Sequence, residues 1–326
     1  MLDQYGRNID YVRISVTDRC NLRCVYCMPD SGEEQTEHTD ILTYEEITRL
    51  CRILAEKGIH KVKITGGEPL VRKDIAVLIK MLKELPGIRC VTLTTNGILL
   101  KEQMDALAQA GLDAVNISLD ALNRGKFKEI SKRDHLEKVL ESVEYAMTFP
   151  NIKVKINCVL LHGFNEDQWV PIAGLARDRD LDVRFIEMMP IGYGRRFYHG
   201  KTEDQVRSML EEAYGKSRPV HGRFGNGPGT YLQFEELKGK IGFISSISHK
   251  FCSDCNRIRI TSQGFLKPCL QFSYGADLRE LLRKGSSDEQ IGHLVEELIF
   301  RKPRSHRFGE EPEEGMESRK MSEIGG

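Results

Sequence analysis

The 326-residue chain has no surplus of either charge: Lys and Arg together number 48, and so do Asp and Glu. A neutral whole exerts no long-range pull on nucleic acid or an anionic membrane, so any basic site must be a local concentration. The chain also lacks the strip of basic and aromatic residues expected of an RNA binder. No apolar run is long enough to span a bilayer, and the opening Met1-Leu2-Asp3-Gln4-Tyr5-Gly6-Arg7 lacks the apolar core of a secretion signal. These absences predict a cytoplasmic protein, bound to neither nucleic acid nor membrane. No side chain stands out as a general acid or base, and nothing repeats beyond a β/α unit.

Cysteine is what the chain does have. Its nine cysteines are odd in number and clustered, which fits metal ligation in a reducing cytosol better than a disulfide framework. Cys20, Cys24 and Cys27 follow C-x3-C-x2-C, with Tyr26 directly before the last. Three thiolates so close suit an iron–sulfur cluster. A structural zinc wants a fourth protein ligand, and the nearest histidine, His38, lies across a polar loop. A cluster held by three cysteines leaves one iron open, which argues for an enzyme over a plain electron carrier. A three-cysteine zinc knuckle and reduced core thiols are the bland alternatives.

A second group, Cys252, Cys255 and Cys269, is spaced C-x2-C-x13-C. Zinc with His249 as its fourth ligand stays open there beside a second cluster with an open iron. Arg257 and Arg259 put two permanent cations one strand period apart next to it, and arginine suits phosphate through paired donors. Cys51, Cys90 and Cys158 fall on a helix and two strands and read as small core hydrophobes.

Short β-rich runs over 11–16, 60–65, 89–95, 113–119, 153–161 and 182–187 alternate with helical stretches near 44–57, 74–85, 101–110, 135–148 and 167–179. Thr43 and Glu46 form a capping box at the first helix. The alternation predicts an α/β fold with a parallel sheet under outer helices, in six units against the eight of a closed barrel. Parallel strands covered on both faces should be apolar throughout, yet these alternate. Arg13 and Ser15 share a face, as do Lys61, Lys63 and Thr65; Thr92, Thr94 and Asn96; Asn116, Ser118 and Asp120; and Lys153, Lys155 and Asn157. Those faces predict a polar, cationic lumen for a large anionic ligand. An antiparallel sheet with one solvated face is the alternative. The sixth strand is undecided between Arg184 and Glu187.

Beyond residue 190 come a turn over 190–194, a helix over 203–214, strands near 230–234 and 240–247, and helices near 277–284 and 288–300. The glycine-rich 225–229 reads as a plain turn, because no strand–loop–helix context makes it a phosphate loop. From Arg301 onward the charged, aperiodic composition alone predicts a disordered tail.

Further motifs carry a resemblance. Asp18-Arg19-Cys20-Asn21, Gly66-Gly67-Glu68-Pro69, Thr94-Thr95-Asn96-Gly97, Ser118-Leu119-Asp120, the Cys-x2-Cys-Asn-Arg-x-Arg form of the second group and the ending Met321-Ser322-Glu323-Ile324-Gly325-Gly326 closely resemble the GTP 3′,8-cyclase family. These are the radical S-adenosylmethionine enzymes that open molybdenum-cofactor biosynthesis. The resemblance spans essentially the whole chain. It implies an incomplete (β/α)6 barrel of the TIM type over 1–190 and a smaller C-terminal α+β domain over 191–300 closing its mouth. It also implies a tail over 301–326 whose Gly-Gly end reaches the active site.

The same resemblance implies two 4Fe–4S clusters. Cys20, Cys24 and Cys27 would hold the one that reduces S-adenosylmethionine. Cys252, Cys255 and Cys269 would hold the one whose open iron binds the guanine of GTP. Tyr26, Gly67, Ser118 and Met189 match positions that contact S-adenosylmethionine, where glycine would let the backbone approach the methionine amino group. Arg13, Lys63, Thr94, Lys155, Arg257 and Arg259 match positions that receive GTP, largely its triphosphate. Lys63 stands where the family commonly has Arg, so a charge role without a bidentate contact is expected of it.

The implied reaction begins with a 5′-deoxyadenosyl radical taking hydrogen from ribose C3′. C3′ then joins guanine C8, giving 3′,8-cyclo-7,8-dihydro-GTP. Implied partners are an electron donor such as flavodoxin or ferredoxin, a second copy in a homodimer, and a downstream cyclic pyranopterin monophosphate synthase. Two rivals remain. One is a peptide-modifying radical enzyme with an auxiliary cluster, which gives no reason for the ring of Lys and Arg. The other is a non-catalytic zinc or iron–sulfur binding protein, which metal analysis would separate.

Overall fold

A computed structural model describes residues 1–32, 36–198, 200, 202–222, 224–310 and 315–325. Six strands alternate with helices in chain order: β1 (Tyr11–Ser15), α1 (Tyr44–Glu56), β2 (Lys61–Thr65), α2 (Ile75–Lys83), β3 (Cys90–Thr95), α3 (Leu100–Gln109), β4 (Ala114–Ser118), α4 (Arg124–Ser131), α5 (Leu136–Met147), β5 (Lys153–Leu160), α6 (Trp169–Ala173) and β6 (Asp182–Glu187). The Thr43 capping box is present, with Glu46 N–H donating to Thr43 Oγ1 at 3.1 Å and Thr43 N–H to Glu46 Oε2 at 2.8 Å. Among these elements, two differ from expectation. Helix α4 was not foreseen, since only Phe127, Ile130 and Ser131 of its polar run are buried. The helix expected over 167–179 shrinks to α6, where Gly174 lets Tyr214 come close: a Cβ there would lie 2.7 Å from the Tyr214 hydroxyl.

The remaining elements are α7 (Glu203–Tyr214), β7 (Ser217–Pro219), β8 (Thr230–Phe234), β9 (Ile241–Ile244), β10 (Arg257–Ile260), β11 (Phe265–Lys267), β12 (Ala276–Asp277), α8 (Leu278–Arg283), α9 (Asp288–Phe300) and α10 (Met321–Ile324). Their strands extend the same sheet at both edges, in the order β12-β11-β10-β1-β2-β3-β4-β5-β6-β9-β8-β7. The stretch from β10 to β9 is parallel throughout, and the outer pairs are antiparallel. The architecture is therefore mixed α/β with a large parallel sheet. Val12, Ile14, Val62, Ile64, Val91, Leu93, Val115, Ile117, Ile156 and Val183 are buried in one apolar core. Polar residues between them take the opposite face, as the alternation requires. Arg257 and Arg259 of β10 and Ile244 of β9 line one cavity, so the sheet curls around it. The two strands do not pair with each other.

The tail departs from what its composition suggests. Met316 bridges to Phe272, and the Glu317 carboxylate is buried against Lys267 and Arg319. Ile324 packs with Ile191 and Phe308. Composition counts charges but not their partners, and these charges have partners in the body of the fold. Gly325 adopts φ 74°, and its carbonyl accepts from Arg259 Nη1 at 2.8 Å. Gly326 lies outside the described residues. Among those residues, no helix is long and apolar enough to cross a membrane.

Candidate active site

The first cysteine loop leaves β1 and is tied down by its backbone. Arg23 and Val25 N–H donate to the carbonyls of Ser131 and Ile130 at 3.0 Å, and Cys27 N–H to that of Cys24 at 2.8 Å. The Gly66-Gly67-Glu68 turn runs alongside the approach to Cys20. Gly67 N–H donates to Thr17 O and Glu68 N–H to Arg19 O, each at 2.8 Å. A Cβ on Gly67 would sit 2.4 Å from Arg19 O and 2.5 Å from Asp18 O. The glycine is thus required by the chain leading into the cysteine loop, a neighbour that no spacing argument had supplied. Gly67→Ala should cost about 1–3 kcal/mol of stability through overpacking and lower the iron held by the first trio. Thermal unfolding and iron per chain measure this, and wild-type values for both would refute it.

Glu68 links the motifs. Its buried carboxylate accepts from Asn96 N–H at 2.6 Å, Leu70 N–H at 3.0 Å and the Thr95 hydroxyl at 2.7 Å. Burial nonetheless pushes its pKa up to about 7. Asn96 in turn donates to Asn21 Oδ1 at 2.7 Å, next to Cys20. The Tyr26 hydroxyl donates to Asp120 Oδ2 at 2.7 Å, and burial lifts the Asp120 carboxyl to about 6. Burial also raises the Cys20 thiol to about 11 and the Cys24 thiol well above its usual range. A metal that binds thiolate offsets that cost.

The second trio is built from both ends of the chain. Arg7, paired with Asp3, donates to the carbonyls of Cys252 at 2.8 Å, Pro303 at 2.7 Å and Arg304 at 2.9 Å. Lys302 Nζ reaches the Arg257 carbonyl at 3.1 Å and that of Pro268. Burial would raise the Cys255 thiol, but Lys302 and Arg257 outweigh it and bring it down to about 7. Arg7 and Lys302 went unseen in the sequence, where no local pattern joins positions so far apart. His249 does not complete a zinc site: it is exposed, its Nδ1 faces Glu203 at 3.5 Å, and it stands outside the cavity lining. Among the described residues, no three or more His, Cys, Asp or Glu side chains are grouped to hold a single metal ion. Three thiols opening on a cavity fit an iron–sulfur cluster at each position better than zinc.

Both trios face one cavity of about 330 Å³. Of the sixteen residues singled out from the sequence, all but Lys155 line it, including Tyr26, Gly67, Ser118, Met189 and Thr94. In-register pairing puts Arg259, Arg13 and Lys63 in one row across β10, β1 and β2. Burial pushes the Lys63 ammonium well below its ordinary range, and Arg184 and Arg13 push it further. Burial does the same to Arg259, with Arg13 and Arg257 adding to it. Cations crowded together away from water call for an anion.

The lumen is less cationic than the strand faces suggested. Lys155 is register neighbour to Asp182 and forms a buried ion pair with it at 2.6 Å, also meeting Tyr231 Oη at 3.0 Å. Lys61 pairs with Asp10 at 2.7 Å, and Lys153 is exposed. On the sixth strand Arg184 and Glu187 both reach the cavity, Glu187 accepting Ile247 N–H at 2.7 Å from the strand's end. The expected plain turn at 225–229 instead supplies wall, through Asn226, Gly227 and Pro228. Cys51 and Cys158 are buried as expected, while Cys90 is half-buried beside Asn226.

The chain is similar to known proteins over its whole length. The Radical SAM superfamily description matches residues 14–176, and that of Molybdenum Cofactor Synthesis C matches 181–308. The chain is 45% identical to a GTP 3′,8-cyclase of Clostridium perfringens (strain 13 / Type A), over the full length of both chains. It is 44% identical to one of Alkaliphilus metalliredigens, again over the full length of both. In fold it is similar to the Streptococcus suis protein SuiB solved with its precursor peptide SuiA. That match has TM-score 0.62 and 17% identity, covering 85% of this chain and 65% of that one. A likeness so low in identity speaks to fold alone. On full-length identity, paired domain matches and the motifs gathered around one cavity, the chain belongs to the GTP 3′,8-cyclase family of the radical SAM superfamily.

Proposed function

We propose that the protein converts GTP to 3′,8-cyclo-7,8-dihydro-GTP at the opening of molybdenum-cofactor biosynthesis, using S-adenosylmethionine and two 4Fe–4S clusters. The observation that carries this reading is the shared cavity: two cysteine trios and a row of buried cations surround a space that is neither purely apolar nor acidic. Cys20, Cys24 and Cys27 would hold the cluster that supplies a 5′-deoxyadenosyl radical from S-adenosylmethionine, and Cys252, Cys255 and Cys269 the one that would take guanine. Tyr26, Gly67, Ser118 and Met189 hold S-adenosylmethionine. Arg13, Arg257 and Arg259 grip the triphosphate with planar donor forks, and Lys63 adds a point charge. Thr94 offers a hydroxyl. Lys155 reaches the substrate only by giving up Asp182. Positioning of two ligands in register is the protein's main contribution to the rate.

The curled sheet reads as an incomplete (β/α)6 barrel over 1–190, closed at its mouth by 191–300 and the tail. A flavodoxin- or ferredoxin-type donor, a homodimer, the cytoplasm and a downstream cyclic pyranopterin monophosphate synthase belong to the same reading. The test is 5′-deoxyadenosine released by anaerobically reconstituted protein with dithionite and S-adenosylmethionine, with and without GTP. Release that depends on GTP and consumes it supports the proposal. Release indifferent to every nucleotide discards the substrate, and no release from protein carrying both clusters discards the enzyme.

A further inference from the structure

Two buried polar groups beside the second trio lack partners. His306 is 6% exposed and its Nε2 makes no hydrogen bond. Ser246 is 1% exposed, and its Oγ is likewise unpaired. Both line the shared cavity. A polar atom left unmet in the interior costs about 1–3 kcal/mol, and buried polar groups nearly always find a partner.

The ring is held in one orientation. Nδ1 accepts Phe308 N–H at 3.3 Å, so the neutral ring carries its proton on Nε2. The Phe308 ring packs on it with centroids 4.5 Å apart, and the His306 backbone N–H is directed to Cys252 Sγ at 3.4 Å. The Ser246 backbone lies beside the ring and favours its protonated form, yet Nε2 makes no hydrogen bond of full geometry to it. What remains is a fixed N–H donor at the second trio, with a hydroxyl on the same wall.

We propose that His306, assisted by Ser246, recognises the carbonyl edge of the substrate's purine, Nε2–H donating to guanine O6. This rests on the function proposed above. Adenine presents an amino group at that place, donor against donor, and would leave Nε2 unpaired in a dry site. A site built to hydrogen-bond one group rejects an analogue that lacks it for this reason. The pair would thereby select guanine, a task no residue considered so far performs.

The test is anaerobic equilibrium binding to the reconstituted protein of GTP and of 2-aminopurine riboside triphosphate, which lacks O6. Wild type should prefer GTP by about tenfold or more, one such factor being 1.4 kcal/mol. His306→Asn keeps an acceptor for Phe308 N–H and removes the donor at Nε2. It should weaken GTP about tenfold and leave the analogue unchanged. His306→Gln, with an amide nitrogen near the Nε2 position, should recover part of the preference. Equal weakening of both ligands, or unchanged GTP affinity, overturns the inference. Iron per chain is measured alongside. If it falls in His306→Asn, Ser246→Ala decides, and an unaltered preference there overturns the inference. Wild type that binds GTP without preferring it to the analogue refutes base recognition alone, whereas wild type that does not bind GTP refutes the proposed function as well.

Discussion

Cys24→Ala brings 5′-deoxyadenosine release down to background, with or without GTP, in a protein that still folds. The loop survives the change because backbone bonds hold it: Val25 N–H to Ile130 O and Met28 N–H to Cys24 O are made without the thiol. What fails is ligation, since two of three thiols cannot keep the cluster. Iron should fall from about eight to about four atoms per chain, as expected when one of two four-iron clusters is lost. Cys269→Ala is the counterpart. It should damage GTP binding and leave the visible absorption of the first cluster largely intact. Loss of both clusters from either variant would mean that the two cysteine groups form a single folding unit.

Removing Gly325 and Gly326 should leave both clusters in place and stop cyclisation, lowering product formation by about a hundredfold or more. A displacement of the order of one ångström at a positioned group can cost that much. The tail stays anchored through Ile324 and Glu317, so the loss is local: Arg259 no longer donates to the Gly325 carbonyl. Gly325→Ala should reproduce much of the defect. Its φ of 74° disfavours a side chain, and a Cβ would lie 2.9 Å from that of Ser15 and 3.1 Å from Thr65 Oγ1. Unchanged turnover in the truncated protein would reduce the tail to packing.

Much of this site was legible because its signals are local. The alternation along each strand depends on a two-residue period, and it correctly separated Arg13 from Val12 and Lys63 from Ile64. The cysteine spacings and glycine pairs are likewise short-range. What the sequence did not display is long-range. Whether a lysine on a polar face meets a ligand or a neighbour depends on register, and Asp182 stands directly opposite Lys155. Arg7 is another case, since the carbonyls it meets, of Cys252, Pro303 and Arg304, lie some 245 residues or more away. The tail was misjudged by composition for the same reason. The 225–229 turn was judged by its flanks, although its importance comes from where the sheet's curl carries it.

The position of β1 has a consequence for synthesis. One of its neighbours, β2, is made soon after it, whereas β10 follows it only about 240 residues later. As the chain leaves the ribosome, β1 must therefore wait with one edge unpaired, a state prone to wrong association. Arg7 waits longer still for the carbonyls of Pro303 and Arg304. The first cysteine loop can be shaped while translation continues, but the second takes form only when the two ends of the polypeptide meet. The second group therefore cannot take its final form before the first.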